Sequence, residues 1–415
     1  MPPAIHIALR FITSRKRSLA LSLLGVCFGV AFFVLTQAQT QGFERFFIQT
    51  ILSSSGAIVI TDRFQLAYSG FESGEDAAFV GSSSQQRRKF YDGITNPNQL
   101  MRVIRQFSNV RACAPVAQGS VTLRSTLHTE ITRAFGIDLP LHLRATGLRE
   151  QVISGSLEEF RTLPYSVLIG ELLAQRLQVQ AGETISIIGT DGTSKSFRVA
   201  GIFRSGVNAI DEQRTYFHIN ILQELLEKPQ LVSMIMVSLR DPDRAPELAT
   251  HFENLFFHRA KSWQERERGN LQVFFALRLS AGITVALVIL LAGFGIFNIL
   301  TMSVLEKVRE IAILRSMGYQ RNDISAVFLW QGFVVATLGS ALGAVAGVLM
   351  TYGVSKIPLR VRGILYADSF IVHWSVSHYV YATLIAFLSV ILASYFPARR
   401  AANLAPVDTL RGSGQ

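Results

Sequence analysis

Few side chains in this sequence have the types and spacing that chemistry requires. Histidines 128, 142, 218, 251 and 258 show no metal-ligand spacing such as His-Glu-x-x-His. No cysteine or carboxylate completes a ligand set beside His251 and His258, so we interpret them as a surface pair. The chain has no Gly-Lys dipeptide for a phosphate-binding loop and no Gly-x-Ser-x-Gly nucleophile motif. We therefore predict no catalytic residue, no metal site and no cofactor in this chain.

The charges divide the 415 residues into two kinds of sequence. Only 17% of residues are charged and 49% are hydrophobic, whereas soluble domains carry about 25% charged residues. Residues 41–273 hold 25 basic and 24 acidic side chains, which is typical of a water-soluble domain. The remainder carries a net charge of +10 around long uncharged runs. Because 41–273 has no basic cluster interleaved with aromatic residues, we expect no nucleic-acid partner.

Four uncharged runs are near or above the roughly 18–20 residues that cross a membrane as a helix. They are residues 19–38, 279–305, 324–355 and 379–396. A shorter run at 46–61 contains Ser53-Ser54-Ser55-Gly56 and then β-branched residues, which predicts a helix end followed by a strand. The first run is also preceded by a basic segment, as in a signal peptide, but it is longer than the usual apolar region. We favour a membrane helix over a cleaved signal.

Orientation follows from Lys and Arg in the short segments between spans. Three segments that share one side hold eleven basic residues, at positions 10, 15, 16, 17, 307, 309, 315, 321, 399, 400 and 411. The loop between the third and fourth spans holds three, at positions 356, 360 and 362. Both termini are therefore expected in the cytoplasm, with residues 41–273 outside. Cys27 and Cys113 fall in different regions, so no intrachain disulfide is expected.

The predicted external domain mixes short strands and helices. Strands are expected at 57–61, 110–123, 166–170, 184–189, 196–204, 231–239 and 259–263, and helices at 97–107, 171–177 and 243–257. Asn96 is a candidate N-cap, Asp241 and Asp243 are read as capping residues, and 81–89 as a surface loop. Asp191-Gly192 predicts a tight turn between the strands at 184–189 and 196–204.

Two features of the spans have alternative interpretations. Residues 305–318 predict a short amphipathic helix that either docks on a partner protein or lies on the lipid surface. Its candidate docking residues are Glu306, Lys307, Val308, Arg309, Glu310, Ile311, Leu314, Arg315 and Gly318. Gly339, Gly343 and Gly347 predict close helix packing in the third span, within one subunit or across a dimer. Asn298 and Gln331 are expected to face protein rather than lipid.

Aromatic residues gather at the predicted outer ends of spans one and two, beside a cation. The set comprises Phe43, Phe46, Phe47, Phe274, Phe275 and Arg278. Apolar rings beside a guanidinium at headgroup level predict a contact surface for an acylated ligand. Interfacial anchoring by an aromatic belt explains the same pattern equally well.

Several segments resemble the FtsX/MacB class of ABC transporter permeases, also called type VII or mechanotransmission permeases. Three segments are similar to the lipoprotein-releasing LolC/LolE branch. They are Gly42-Phe43-Glu44, residues 168–174 and the stretch from Trp263 to Ile299. Two further segments, residues 306–318 and the tail from Phe396 to Leu410, are similar to the class as a whole. The resemblance implies four transmembrane helices and a large mixed α/β, MacB-like periplasmic domain inserted between helices 1 and 2. The implied divisions are 1–40, 41–273 and 274–415, with a cytoplasmic coupling helix at about 305–318.

The resemblance also implies partners and a function. Two permease subunits, identical or different, pair with a cytoplasmic ATPase dimer that binds ATP and Mg²⁺. The permease itself is then not an enzyme. In the lipoprotein-releasing branch, such a complex extracts acylated lipoproteins from the outer leaflet of the bacterial inner membrane and passes them to a periplasmic chaperone. Alternatives are a MacB- or DevC-like export subunit working with an adaptor, and an FtsX-like regulator of a cell-wall hydrolase.

The chain departs from the branch at one point. LolC-type subunits carry an extended hairpin that grips the chaperone, inserted between strands that correspond to 184–189 and 196–204. Here only residues 190–195 join these strands. We expect this subunit to bind a chaperone weakly or not at all, as a LolE-like half of a heterodimer or with another acceptor, unless residues 70–89 have taken over docking.

Overall fold

The structure is a computed structural model that describes residues 16–62, 93–94, 96–190, 192–357 and 370–403, with only the backbone of 16–19. The predicted loop at 81–89, the alternative docking segment at 70–89, Asp191 and basic positions 10, 15, 360, 362 and 411 lie outside these residues. Contacts divide the described chain into a helical unit and an α/β unit. Among the described residues, the helical unit comprises 16–45, 272–357 and 370–403, and the α/β unit comprises 46–62, 93–94, 96–190 and 192–271.

The described residues form the following elements, numbered along the chain. The helices are α1 Lys16–Ser55, α2 Pro97–Ile104, α3 Leu139–Ala145, α4 Leu148–Gln151, α5 Leu157–Thr162, α6 Glu171–Leu177, α7 Asn208–Gln213, α8 Ile219–Leu225, α9 Ala245–Phe256, α10 Trp263–Arg266, α11 Arg268–Glu306, α12 Val308–Ser316, α13 Arg321–Ser355 and α14 Val376–Ala402. The strands are β1 Ile58–Thr61, β2 Val110–Arg124, β3 Thr129–Ile137, β4 Val152–Gly155, β5 Ser166–Gly170, β6 Thr184–Ile188, β7 Ser194–Phe203, β8 Arg214–His218, β9 Met234–Leu239 and β10 Arg259–Ser262.

Four described helices are long and apolar enough to cross a membrane, as the uncharged runs predict. They are Ala20–Ser55, Arg268–Glu306, Arg321–Ser355 and Val376–Ala402. Each contributes to one buried apolar cluster, for example through Val30, Ile289, Ala336 and Ala386. The first helix is longer than the predicted span at 19–38, since α1 continues to Ser55 before β1 begins at Ile58. The reading of 46–61 as a helix end followed by a strand is confirmed.

The α/β unit is built on one mixed sheet. Six of its strands pair in a closed circuit, in the order β2-β3-β8-β5-β7-β6 and back to β2. The strands β9, β1 and β10 extend the sheet from β2, and β4 pairs with β7. The two faces of β5 belong to different apolar clusters, because Val167 and Ile169 lie in one and Leu168 in the other. All five residues of β5 are buried, which explains its continuous apolar sequence.

Local details of the sequence interpretation need correction. Asn96 occupies the N-cap position of α2 as predicted, but it adopts a left-handed conformation (φ 52°) and its side chain makes no capping hydrogen bond. Asparagine tolerates that conformation, and the helix begins at Pro97. The predicted capping by Asp241 is confirmed, since its Oδ1 accepts from the backbone N–H of Asp243 at 3.1 Å. The strand β3 was not predicted from the sequence.

Candidate functional site

Gly339, Gly343 and Gly347 of α13 lie against α1 of the same chain. A Cβ atom at Gly339 would lie 2.8 Å from Cβ of Val26, and one at Gly347 would lie 3.1 Å from Cβ of Val34. At Gly343, the added atom would lie 2.7 Å from Cβ of Val30. Glycines at this spacing let two helices approach closely in lipid. Of the two alternatives left by the sequence, the structure therefore shows packing within one subunit.

Asn298 and Gln331, inside the second and third spans, differ in their surroundings. The Oε1 atom of Gln331 is buried, whereas Asn298 is exposed on the surface of this single chain. The expectation that both face protein is therefore not met for Asn298 within the chain itself.

The short helix α12 packs against the apolar cluster of the helical unit. Its residue Ile311 is buried in the same apolar cluster as Ala398 and Ala401 of α14, and Ala312 is also buried. Arg315 donates a hydrogen bond from Nη1 to the carbonyl oxygen of Ala402 at 3.5 Å. The apolar face of α12 is therefore covered by the spans of its own chain and is not the surface available to a partner.

The exposed face of α12 is mixed in character. Arg309 and Glu310 are exposed, and Lys307 forms an ion pair with Glu310. Ile313 and Met317 are also exposed, Met317 to 72% of its surface. Gly318 follows with φ of 100°, a left-handed conformation that ends helices and favours glycine. Of the predicted docking residues, Ile311 is buried and Val308, Leu314 and Arg315 are half-buried. Ile313 and Met317, which are exposed here, were not among the predicted docking residues.

At the opposite end of α11, aromatic and charged side chains form a cluster that we call the aromatic–basic cluster, defined as Phe43, Glu44, Arg45, Phe274, Arg278 and His373. The rings of Phe43 and Phe274 meet edge to face, with centroids 5.8 Å apart. Arg278 forms an ion pair with Glu44. Phe274 is buried and Phe43 is exposed, so the ring of Phe43 packs on the ring of Phe274 at the surface of the helical unit.

The segment before α14 completes this cluster. The backbone N–H of His373 donates to the carbonyl oxygen of Ala38 at 2.9 Å. A Cβ at Gly42 would lie 2.5 Å from the carbonyl oxygen of Ile371, so only glycine fits there. Nη1 of Arg45 lies 3.5 Å from Nδ1 of His373. Burial and the Arg45 charge lower the pKa of His373, which keeps the ring neutral beside the guanidinium near neutral pH.

The remaining predicted lipid-contact residues do not all reach a surface. Phe275 is 66% exposed in the helical unit. Phe47 is buried in the α/β unit. Phe46 is half-buried, and its Cζ would lie 3.5 Å from a Cβ added at Gly206 in the same unit. Of the six predicted residues, only Phe43 and Phe275 therefore present exposed rings.

The connection between β6 and β7 is short and held in place. The backbone N–H of Gly189 donates to the carbonyl oxygen of Thr193 at 3.3 Å, and Gly192 has φ of 75°. The backbone N–H and the hydroxyl of Thr190 both donate to the carbonyl oxygen of Leu225, at 3.1 and 3.2 Å. Its described residues therefore lie against α8 and do not form a projecting hairpin.

Within the α/β unit, the C-terminal end of α1 is held by two arginine side chains that sequence reasoning did not single out. Nη1 of Arg214 donates to the carbonyl oxygen of Ser54 at 3.0 Å. Nη2 of Arg266 donates to the carbonyl oxygen of Gly56 at 3.0 Å. Burial lowers the pKa of the Arg266 guanidinium to about 10, so this group stays charged at neutral pH. Cations at a helix C-terminus also interact favourably with the helix dipole.

One histidine beside this anchorage is completely buried. His142 of α3 packs against the ring of Tyr216, with ring centroids 5.5 Å apart. Neither ring nitrogen has a hydrogen-bond partner. Burial, with a smaller effect of Arg214, lowers the pKa of His142 to about 3. The ring is therefore neutral at physiological pH, and among the described residues no group of metal-ligating side chains surrounds it.

Family comparison assigns both parts of the chain. The model for the MacB-like periplasmic core domain matches residues 19–255, which is more than half of the sequence. The chain belongs to the MacB-like periplasmic core domain family. The FtsX-like permease C-terminal model matches residues 282–406, which include α12, α13 and α14. The predicted FtsX/MacB class and its fold of four membrane helices with an inserted α/β periplasmic domain are confirmed.

Individual relatives place this MacB-like permease near the predicted branch. The lipoprotein-releasing system transmembrane protein LolC of Xylella fastidiosa is 23% identical over 441 residues, covering 99% of both chains. The macrolide export ATP-binding/permease protein MacB of Bdellovibrio bacteriovorus is 25% identical over 431 residues, covering 98% of this chain and 61% of that protein. The periplasmic region of MacB from Actinobacillus actinomycetemcomitans covers 53% of this chain and 94% of that structure, with 11% identity and a TM-score of 0.34.

Proposed function

We propose that this MacB-like permease is the transmembrane subunit of an ATP-driven complex that extracts lipoproteins from the outer leaflet of the inner membrane. The observation that carries the proposal is the alignment with LolC over 99% of both chains. Both termini are cytoplasmic in this proposal, because eleven basic residues flank that side of the spans. The periplasmic domain then begins where α1 leaves the helical unit.

The energy source in this proposal is a separate ATPase dimer that binds ATP and Mg²⁺. The proposal assigns ATP binding to a separate subunit because this sequence contains no phosphate-binding loop. The exposed face of α12, with Arg309, Glu310, Ile313 and Met317, is the contact surface that we assign to the ATPase. The buried face of α12 transmits force, because Ile311 lies in one apolar cluster with Ala398 and Ala401 of α14.

The substrate contact in this proposal is the aromatic–basic cluster together with Phe275. Exposed rings at Phe43 and Phe275 offer apolar surface to acyl chains, which gain about 0.8 kcal/mol for each buried CH₂ group. Arg45, which contacts His373, and Arg278, which pairs with Glu44, supply positive charge in the same cluster and suit the polar groups at the base of a lipid anchor. A second permease subunit, identical or different, completes the complex.

A second candidate keeps the machinery and changes the cargo. The alignment with the macrolide export protein MacB over 98% of this chain favours an export subunit that works with a periplasmic adaptor. The short, attached β6–β7 connection also fits this candidate, because its described residues form no projecting hairpin for a chaperone.

Photo-crosslinking in whole cells separates these functions. A photoreactive amino acid at Phe43 or Phe275 is expected to capture acylated proteins, identified by mass spectrometry. The matched control is Leu342 of α13, which is also exposed on the helical unit but lies outside the cluster. Acylated proteins at Phe43 and Phe275 but not at Leu342 support lipoprotein release. Labelling by bulk phospholipid at all three positions contradicts it and favours interfacial anchoring.

A further inference from the structure

A cavity of about 600 Å³ opens between α11 and α14 inside the helical unit. It lies at the end of the bundle where Arg315 of α12 contacts Ala402, far from the aromatic–basic cluster along α11. Phe294 and Phe297 of α11 line it, together with Phe396, Arg399, Arg400 and Asn403. Its volume falls within the range of small-molecule sites in proteins.

The lining combines two chemistries in one place. Three aromatic rings make the wall apolar, and Phe294 and Phe396 are themselves exposed. The last turn of α14 adds two exposed guanidinium groups, from Arg399 and Arg400. Within the described part of the chain, neither guanidinium forms an ion pair with a carboxylate. The site therefore offers apolar surface and positive charge to the same ligand.

We propose that this cavity binds one anionic phospholipid. An acyl chain would lie against the three phenylalanine rings, because burying its CH₂ groups there removes apolar surface from water. The phosphate would pair with Arg399 and Arg400, since guanidinium groups match phosphate oxygens in bidentate geometry. Basic pockets between membrane helices bind anionic headgroups in this way. Under the orientation proposed above the lipid belongs to the cytoplasmic leaflet, but its binding does not depend on the proposed transport function.

Arginines at the end of a membrane helix also have effects that do not require a specific lipid site, and the test must distinguish these effects from specific lipid binding. Basic residues in a last helical turn interact favourably with the helix dipole. They also attract anionic lipid in general when they flank a span. Arg321 at the start of α13 is an exposed flanking arginine that does not line the cavity, and it supplies the charge control. Leu291 of α11 is 70% exposed outside the cavity and supplies the apolar control.

The experiment is lipid titration of the purified full chain in detergent, followed by native mass spectrometry. Phosphatidylglycerol and phosphatidylethanolamine with identical acyl chains are the probes. We expect one bound phosphatidylglycerol, with about tenfold weaker binding in Arg399→Gln/Arg400→Gln and unchanged binding in Arg321→Gln. Phe294→Ala should weaken binding of both lipids, while Leu291→Ala should not. Equal binding of the two lipids by the wild-type chain, or equal losses in Arg321→Gln, overturns the proposal.

A second measurement covers the case in which the double variant does not fold. A photoreactive amino acid at Phe396 of the otherwise unchanged chain is illuminated in membranes that contain phosphatidylglycerol. A crosslink to phosphatidylglycerol supports the proposal. A crosslink to an ATPase subunit, or to another segment of this chain, shows that protein fills the cavity and overturns it.

Discussion

A Cβ atom added to Gly343 of α13 would lie only 2.7 Å from Cβ of Val30 in α1. No side chain can occupy that position without moving one of the two helices. Gly339 and Gly347, one turn away on either side, meet Val26 and Val34 in the same manner. The third span is therefore packed with its glycine backbone against valine side chains of the first span along two helical turns.

Gly343→Val should destabilise the helical unit, because overpacking a tight contact costs typically 1–3 kcal/mol. We expect a lower midpoint of thermal unfolding for the full chain in detergent. Gly353→Val is the matched control, since nothing lies within 4 Å of a Cβ at Gly353 in the same helix. Equal unfolding midpoints for the two variants would contradict the close packing.

Exchanging charges on α12 should weaken ATPase recruitment while the protein still inserts in the membrane. Arg309 and Glu310 are exposed, so Arg309→Glu/Glu310→Arg keeps net charge and leaves the buried Ile311 in place. The measurements are co-purification of the ATPase with the permease and the rate of ATP hydrolysis that the permease stimulates. The exposed pair Arg244 and Glu247, exchanged in the same way in the α/β unit, is the control. Unchanged co-purification and hydrolysis in the α12 variant would remove α12 as the docking surface.

Chaperone binding should be weak or absent, because the described residues between β6 and β7 lie against α8. We expect no complex at micromolar concentrations between the full chain in nanodiscs and its cognate periplasmic chaperone. Shortening the connection at 190–195 tests the cause of any binding that is observed. Binding that survives this deletion points to another segment, and 70–89 is our candidate. Binding that is abolished by it shows that the short turn is itself the docking site.

Acid should destabilise the periplasmic domain through His142. The unfolded chain binds a proton at this histidine below about pH 6.5, whereas the folded chain does so only near its lowered pKa of about 3. The unfolded state therefore binds more protons between these values, and stability falls as the pH falls, by up to about 1.4 kcal/mol per pH unit. His142→Leu should flatten the pH dependence of the unfolding midpoint between pH 6.5 and 4. His128→Gln, at an exposed histidine, should leave it unchanged, and parallel curves for wild type and His142→Leu would contradict this account.

Local sequence composition determined the positions of many helices and strands in this protein. The uncharged runs located the four spans, because crossing a hydrocarbon core requires about 20 apolar residues whatever their neighbours are. The serines and glycine at 53–56 correctly marked the end of α1, since they combine weak helix propensity with a residue that adopts positive φ. The strand β5 and the amphipathic helix α12 were also predicted from the order of apolar and polar residues alone.

Tertiary structure decided which surfaces those elements present. The spacing of Gly339, Gly343 and Gly347 predicts a close contact but does not name its partner, because the partner α1 lies some 300 residues earlier in the chain. The pattern of α12 likewise leaves open which face meets a partner, and only its burial against α14 showed that the apolar face is already covered. Arg214 and Arg266 were missed for the same reason. Their partners at the end of α1 are 160 and 210 residues away, and contacts at such separations depend on the path of the whole chain, which no local pattern encodes.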